Sequence, residues 1–329
     1  MIISKTPYRI SFFGGGSDYP TWYKKYGGEV LSTTIDKYIY ISCRFSPKYF
    51  KKKYRIVWRK IENVQTAKEI NHKAVRELLK YLKIKPGLEI HYYGDLPARS
   101  GMGSSSCFTV GLMQSLHRIK KIELNKLKLA NKSIYFEQKV MKEIVGSQDQ
   151  TSASFGGFNK IIFKRNGSIK VKKIFSSKNI NKLNDNLILI YTGINRTAHK
   201  IANNYVNKLT KEKSDHIQRI ISYVRDGEKI LNSGKIDDFG KLLNEAWMEK
   251  KALSNLITNS KINEIYDQAI EHGALGGKLL GAGGGGFLLM YMKDKERKFF
   301  FKKYKKLVNI PFNFSKTGSE IIFDEITNK

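Results

Sequence analysis

Three glycine-rich segments constrain the fold of this chain most, because each lies beside residues typical of strands or helices. The third is the most extreme: residues 281–286 read GAGGGG and stand between two apolar stretches. Flexible glycine hinges usually have polar flanks, whereas core residues flank this run on both sides. We therefore expect these glycines to let main chain pack closely on main chain or on a ligand.

The second segment, PARSGMGSSSC at residues 97–107, lies between a predicted strand and a predicted helix. The glycines at 101 and 103 allow positive φ angles or a close approach of backbone to a ligand. The first N–H groups of a helix lack intrahelical partners and, with the helix dipole, favour an anion. No Gly-Lys-Ser/Thr follows, so this is not a Walker A loop. The segment predicts a phosphate-binding turn, and an ordinary serine N-cap is the alternative.

The first segment, FFGGGSDY at residues 12–19, follows a strand that contains Arg9. A cation in an otherwise apolar strand is expected to face a cleft or to have an ion partner. Asp18 could accept hydrogen bonds from ligand hydroxyls, or it could cap a helix over YPTWYKKY.

Two further acidic residues stand out because the chain is short of acid. Glu137 lies on a predicted helix and Asp149 lies just past its end. If both face the phosphate-binding turn, Glu137 could hold Mg²⁺ and Asp149 could accept a proton from a hydroxyl. Taken singly, each is better explained as an exposed helix Glu and a turn Asp.

The charge balance leaves three interpretations open. Sixty Lys and Arg against 29 Asp and Glu give a formal net charge of +31. Nucleic-acid binding, steering of small anions to a cleft and a simple surface bias would each explain this excess. Nucleic acid ranks third, because no RNA-binding or helix-turn-helix signature is visible. The two cysteines match no metal spacing, and no apolar run or signal-peptide pattern is found, so we expect a cytoplasmic protein.

The order of strand-like and helix-like stretches predicts an α+β protein of two domains, 1–182 and 183–329. We predict a helix over residues 66–83 that starts with a Thr66–Glu69 capping box. Asn166-Gly167 predicts a hairpin turn, and NLILIYTG predicts a buried strand.

Together the three segments resemble the motifs of the GHMP kinases, the group that includes galactokinase, homoserine kinase and mevalonate kinase. PARSGMGSS matches Pro-x-x-x-Gly-Leu-Gly-Ser-Ser with Met102 for Leu, TPYRISFFGGGSDY matches the first motif, and KLLGAGGGGF matches the third. The resemblance implies ATP and Mg²⁺ as cofactors. It also implies an N-terminal ATP-binding domain like domain 2 of ribosomal protein S5, with a left-handed βαβ crossover, and a ferredoxin-like C-terminal domain with added helices.

The resemblance also implies residue roles. Asp149 and Arg9 would be catalytic, and Ser105 and Glu137 would hold Mg²⁺. The residues implied for the ATP phosphates are Pro97, Arg99, Ser100, Gly101, Met102, Gly103, Ser104, Ser105 and Ser106. Those implied for the substrate are Gly15, Gly16, Ser17, Asp18, Gly283 and Gly284.

The motif details bear on the substrate. Galactokinase has Gly-Glu-His-Thr-Asp where residues 14–18 here read GGGSD, so a galactose grip is in doubt. GGGSDYPTWY, GSQDQ with FGGFN, and YTGINRTAHKI are similar to the bacterial D-glycero-D-manno-heptose 7-phosphate kinases, with L-fucokinase domains as close rivals. The first reading implies phosphorylation of the anomeric hydroxyl to a 1,7-bisphosphate, for nucleotide-activated heptose and a surface polysaccharide.

A sugar phosphate would need a cationic grip of its own. Arg196 and Lys200 lie one helical turn apart and are the predicted pair, and Arg99 is another candidate. We expect small-molecule partners, the sugar phosphate and ATP, with no nucleic acid or membrane, and leave a homodimer open. The rival from another class is an S5-like nucleic-acid-binding protein, which would explain the charge but not Glu137 or Asp149.

Overall fold

A computed structural model describes residues 1–194, 206 and 208–325 of the chain. Its larger sheet has nine strands, of which seven come from the first half of the chain: β1 Ile2–Phe13, β2 Gly28–Phe45, β3 Tyr54–Val57, β4 Ile61–Val64, β5 Leu88–Gly94, β6 Asn159–Phe163 and β7 Ile169–Lys173. The last two, β12 Phe314–Ser315 and β13 Glu320–Asp324, come from the end of the chain. The strand order is β13-β1-β2-β5-β3-β4, and β6 and β12 also pair with β2.

The smaller sheet has four antiparallel strands: β8 Leu187–Tyr191, β9 Gly276–Leu279, β10 Phe287–Tyr291 and β11 Val308–Asn309. Their order is β11-β8-β10-β9, so the first strand in sequence lies between the fourth and the third. Helices separate β8 from β9 and β10 from β11, which is the ferredoxin-like arrangement that the resemblance implied.

Ten α-helices are described: α1 Pro20–Tyr26, α2 Lys73–Tyr81, α3 Ser104–Ile119, α4 Lys126–Tyr135, α5 Gln148–Phe155, α6 Ser177–Asp185, α7 Ser214–Ser233, α8 Ile236–Lys251, α9 Ser260–Glu271 and α10 Asp294–Lys303. A 3₁₀ turn, Ala67–Glu69, precedes α2, and a π-helical turn, Phe136–Val140, continues α4. Helix α3 packs on β1 and β2, which fixes its N-terminus beside the first glycine segment. None of the described helices combines the length and the apolar character needed to span a bilayer.

Both sheets contribute to one hydrophobic cluster, and a second cluster packs against the smaller sheet. The ring of Phe239 in α8 contacts the rings of Phe12 and Phe13 in β1 at centroid distances of 5.3 and 5.0 Å. These aromatic contacts hold the C-terminal helices against the N-terminal sheet. Because β12 and β13 join the first sheet, the residues after the boundary predicted at 183 contribute to both sheets. That boundary lies within α6 and stays a prediction.

Several sequence-based predictions of elements are confirmed. The hairpin at Asn166-Gly167 joins β6 and β7, with Gly167 at φ +86°. The buried strand is β8, and the helix after the phosphate-binding turn is α3.

The helix predicted over residues 66–83 is wrong in its first half. Thr66 does donate to Glu69 at 2.8 Å, but only a 3₁₀ turn follows, and α2 begins at Lys73. The reason is tertiary. The buried carboxylate of Glu62 accepts hydrogen bonds from the main-chain N–H groups of Asn71 and His72, which diverts that backbone from helical bonding.

Candidate active site

A cleft of about 620 Å³ lies between the N-terminal sheet and the C-terminal helices. All three glycine-rich segments contribute to it, through Gly15 and Gly16, through Gly101 and Gly103, and through Gly281. Three segments that are far apart in sequence thus meet at one site.

The phosphate-binding turn has the conformation that its glycines predict. Gly103, at φ +75°, is the N-cap residue of α3 and offers no side chain to the free N–H groups of the first turn. The ordinary serine N-cap is therefore not what the structure shows. Gly101, at φ +81°, leaves no room for a side chain, because an added Cβ would lie 2.5 Å from the carbonyl oxygen of Leu280.

The predicted ATP-binding residues divide into two groups. Those that line the cleft are Arg99, Gly101, Gly103, Ser104, Ser105 and Ser106. The others shape the turn: Ser100 and Met102 are buried, and Pro97 is exposed beside them. The carbonyl oxygen of Ser100 accepts a hydrogen bond from the main-chain N–H of Phe287, and that of Met102 accepts one from the main-chain N–H of Arg9.

Arg9 and Asp149 form a two-point ion pair in the cleft. Nε and Nη2 of Arg9 donate to the two carboxylate oxygens of Asp149, each at 2.7 Å. Nη1 of Arg9 donates to the carbonyl oxygen of Gly101 at 2.7 Å. Burial lowers the pKa of the Arg9 guanidinium, but the charge of Asp149 more than offsets this, so the pKa is raised. An added Cβ on Gly103 would lie 3.2 Å from Asp149 Oδ2, which places this carboxylate at the start of α3.

Asp18 is buried close to this pair. Its carboxylate accepts hydrogen bonds from the main-chain N–H groups of Gly16 at 3.0 Å and Gln148 at 3.2 Å. Helix α1 instead has Tyr19 as its N-cap residue, so Asp18 is not the helix cap. Burial, and next the charge of Asp149, raise the pKa of Asp18 to about 6. A buried acceptor held by two N–H groups suits hydrogen bonds from ligand hydroxyls.

Glu137 lies against the first turn of α3, but its hydroxyl partner is Ser106 rather than Ser105. Ser106 Oγ donates to Glu137 Oε2 at 2.9 Å, and Gln150 donates to the same oxygen. Ser105 is exposed and lines the cleft. Adjacent helical residues point about 100° apart, so Ser106 rather than Ser105 faces Glu137. The metal role implied for Ser105 stays a prediction.

The residues around Glu137 fit a magnesium ion. Oε1 of Glu137 is buried and has no hydrogen-bond partner among the described residues. Burial raises the pKa of Glu137 to about 7. The described residues hold no cluster of three metal-binding side chains. Mg²⁺ needs no such cage, since it is commonly held by one or two carboxylates, hydroxyls and substrate phosphates.

The third glycine segment divides between the cleft and the interior. Gly281 and Ala282 line the cleft, and an added Cβ on Gly281 would lie 2.5 Å from Gly101 Cα. Gly283 and Gly284, implied as substrate residues, pack instead against the main chain of Ile257. Arg196 and Lys200, the predicted phosphate grip, lie outside the described residues.

Sequence reasoning missed two lysines of the cleft. Lys250, at the end of α8, and Lys278, in β9, both line it. Among the described residues, six cationic and three acidic side chains line the cleft, which leaves a formal excess of positive charge. The sequence contained one indication of Lys278. It is a single cation within the run GGKLL, as Arg9 is a single cation within an apolar strand. Lys250 is hidden in the lysine-rich run EKKA.

Comparison with known proteins agrees with this geometry. The GHMP kinases N terminal domain matches residues 68–157, and the GHMP kinases C terminal domain matches residues 228–304. The D-glycero-alpha-D-manno-heptose 7-phosphate kinase of Campylobacter jejuni is 29% identical over 96% of this chain and 97% of that protein. The L-fucokinase/L-fucose-1-P guanylyltransferase of Bacteroides fragilis is 27% identical over 64% of this chain and 23% of that protein.

A solved structure shows the same fold. The D-glycero-D-manno-heptose 1-phosphate kinase of Bacteroides thetaiotaomicron aligns with a TM-score of 0.79 at 22% identity, over 98% of this chain and 99% of that one. The two family models match in order and together span about half of the chain. The protein therefore belongs to the GHMP kinases, a family of phosphotransferases that use ATP.

Proposed function

We propose that this protein transfers the γ-phosphoryl group of ATP to the anomeric hydroxyl of D-glycero-D-manno-heptose 7-phosphate, which gives the 1,7-bisphosphate. The observation that carries the proposal is the position of the Arg9–Asp149 pair: Asp149 lies beside Gly103 at the start of α3 and follows Gln148, whose N–H donates to Asp18. The proposed proton acceptor is therefore close both to the proposed site for sugar hydroxyls and to the proposed site for phosphates.

The triphosphate would bind at the N-terminus of α3, where the uncapped N–H groups and the dipole favour an anion. Glu137 and Ser106 are the residues that would hold Mg²⁺, with Ser105 facing the phosphates from the cleft. When bound, Mg²⁺ would supply neutralisation of the charge on the β- and γ-phosphates.

Transfer would be an in-line displacement in which positioning and charge stabilisation supply most of the rate. Asp149 accepts the proton of the sugar hydroxyl as the hydroxyl oxygen bonds to the γ-phosphorus. The bond from the γ-phosphorus to the bridging oxygen breaks, and ADP leaves. Arg9 holds the Asp149 carboxylate in place through two hydrogen bonds and offsets charge that develops on the phosphoryl group.

The substrate assignment has support from two sides. The Campylobacter jejuni relative, which matches nearly the whole of both chains, is named for D-glycero-alpha-D-manno-heptose 7-phosphate. The excess of cations in the cleft suits a substrate that carries its own phosphate beside ATP. We further propose that the product feeds the synthesis of nucleotide-activated heptose for a surface polysaccharide.

A kinase of an unphosphorylated sugar such as L-fucose is the second candidate. The Bacteroides fragilis relative favours it, and Asp18 would serve a free sugar equally well.

The test is ADP release from MgATP with a panel of four sugars: D-glycero-D-manno-heptose 7-phosphate, its unphosphorylated parent, L-fucose and galactose. We expect kcat/KM to be highest for the phosphorylated heptose. A preference for a free sugar would retain the kinase and refute the heptose 7-phosphate assignment.

A further inference from the structure

Lys250 and Lys278 place two ammonium groups on the C-terminal wall of the cleft, opposite α3. Nζ of Lys278 donates to the carbonyl oxygen of Phe12 at 2.5 Å. Nζ of Lys250 donates to the carbonyl oxygens of Leu279 at 2.7 Å and Gly281 at 2.6 Å. Both side chains are thus held in fixed positions by main-chain carbonyls.

In residues 1–194, 206 and 208–325, no carboxylate lies within ion-pair distance of either lysine. Lys278 is only 7% exposed. Burial, and next the charge of Arg9, lower the pKa of Lys278 to about 7. Burial, followed by Lys278 and Arg9, lowers the pKa of Lys250 well below its ordinary value. Burying unpaired charge is costly, so a purely structural role would be served better by an apolar side chain.

The ammonium groups also have hydrogen-bonding capacity to spare. A lysine offers three donors. The contacts above use one donor of Lys278 and two of Lys250. Both side chains line the cleft, so the remaining donors are available to a ligand there.

The position of the two lysines indicates what that ligand is. Lys278 contacts Phe12, just before the glycine segment that leads to Asp18. Lys250 contacts Gly281, which packs against Gly101 of the phosphate-binding turn. Arg9 also lines the cleft, so Arg9, Lys250 and Lys278 all border the space that contains Asp18 and the phosphate-binding turn.

We propose that Lys250 and Lys278 form a phosphoryl-binding site on the C-terminal wall of the cleft, which takes a dianionic phosphate through charge-assisted hydrogen bonds. The inference rests on the kinase function proposed above. The phosphoryl group has two sources in that reaction, the γ-phosphoryl group of ATP during transfer and the phosphate that the sugar already carries.

Kinetics of Lys250→Met and Lys278→Met with heptose 7-phosphate and with unphosphorylated heptose separate these sources. Loss of a hydrogen bond to a charged group costs roughly 10- to 100-fold. A fall in kcat of that size with both sugars would place the transferred phosphoryl group at the lysines. An equal rise in KM for the phosphorylated sugar alone would place the sugar's own phosphate there.

Lys126→Met is the matched control. Lys126 also donates to a main-chain carbonyl, that of Phe155 at 3.0 Å, but on the exposed surface. It should leave all kinetic constants unchanged. Lys250→Arg and Lys278→Arg keep the charge and should recover part of the loss if the methionine variants fold poorly.

A second measurement does not depend on the sugar. Millimolar inorganic phosphate should raise the melting temperature of the wild type and of Lys126→Met more than that of either Lys→Met variant of the pair. Folded Lys→Met variants with unchanged kinetics and unchanged phosphate stabilisation would overturn the proposal. A wild type inactive with every sugar, but with the phosphate effect lost in the two variants, would refute the proposed function and support the lysine site.

Discussion

The two walls of the cleft handle charge in opposite ways. On the N-terminal wall the buried cation Arg9 is paired at two points with Asp149. On the C-terminal wall the hydrogen bonds of Lys250 and Lys278 to described residues go to main-chain carbonyl oxygens, and Lys250 also lies over the ring of Trp247. The fold therefore compensates and preorganises the Arg9–Asp149 pair, whereas the two lysine charges are left for a bound anion to compensate. Charge compensation within the fold thus distinguishes the pair proposed for catalysis, Arg9 and Asp149, from the two lysines proposed for binding.

The largest effect is expected from breaking the pair on the N-terminal wall. Asp149→Asn keeps the shape but removes the proton acceptor, so kcat should fall about 10²- to 10⁴-fold. KM for ATP should change little, because the phosphate-binding turn is untouched. Asp238→Asn is the control, since that carboxylate forms an exposed ion pair with Lys241. Steady-state ADP release measures all three proteins, and turnover within a few-fold of wild type would refute the role of Asp149.

The contact between the walls can be broken by Gly281→Ala. The new Cβ would lie 2.5 Å from Gly101 Cα, at φ +73°, so the two glycine segments must separate. We expect a loss of about 2–4 kcal/mol in the free energy of unfolding, together with weaker ATP binding.

Gly167→Ala separates backbone strain from the contact. Gly167 has φ +86°, but an added Cβ would meet nothing within 4 Å, so only the strain of about 1–2 kcal/mol is expected. Denaturant unfolding compares the two variants. Equal losses in the free energy of unfolding would show that close packing of Gly281 on Gly101 does not contribute to stability.

The metal site on the N-terminal wall is sharpened by two serine variants. Ser106→Ala removes the hydroxyl bonded to Glu137 and should raise the Mg²⁺ concentration for half-maximal activity about tenfold. Ser105→Ala should have a smaller effect on that concentration. Magnesium titrations at saturating ATP measure this concentration for both variants. A larger increase in Ser105→Ala than in Ser106→Ala would assign the metal-binding hydroxyl to Ser105.

The smallest effect is a pH dependence of magnesium binding. Burial raises the pKa of Glu137 to about 7, and a metal ligand must be deprotonated. Below that pKa, protons compete with the metal, so the apparent Mg²⁺ affinity should weaken about tenfold for each further pH unit. Fluorescence or calorimetric titrations with Mg²⁺ at several pH values measure this affinity. The pH dependence should be absent in Glu137→Gln, and a dependence that remains in this variant would belong to another group.

Sequence reasoning located the N-terminal wall much better than the C-terminal wall. Gly101 and Gly103 are adjacent to the serines they serve, so their chemistry is visible in one short stretch. Arg9 stood out as a cation in an apolar strand and Asp149 as an acid in an acid-poor chain, and the family resemblance assigned them to one site although 140 residues separate them. Lys250 and Lys278 were missed, because only the fold brings a helix end and a strand to the same wall.

Two finer features depend on details of the fold that the sequence pattern does not contain. The choice between Ser105 and Ser106 depends on the exact start of α3, since one residue turns a helix by about 100°. The helix predicted from Thr66 was shortened by hydrogen bonds from Asn71 and His72 to Glu62, which no local pattern contains. The roles of Arg196 and Lys200 stay predictions.

The most direct test of the central claim is the identity of the product. Phosphorus-31 NMR of a reaction with MgATP and D-glycero-D-manno-heptose 7-phosphate should show ADP and a second sugar phosphate signal, coupled to the anomeric proton. That result would establish transfer to the anomeric hydroxyl of a sugar phosphate. A new phosphate on another carbon, or ADP without any new sugar phosphate, would contradict it.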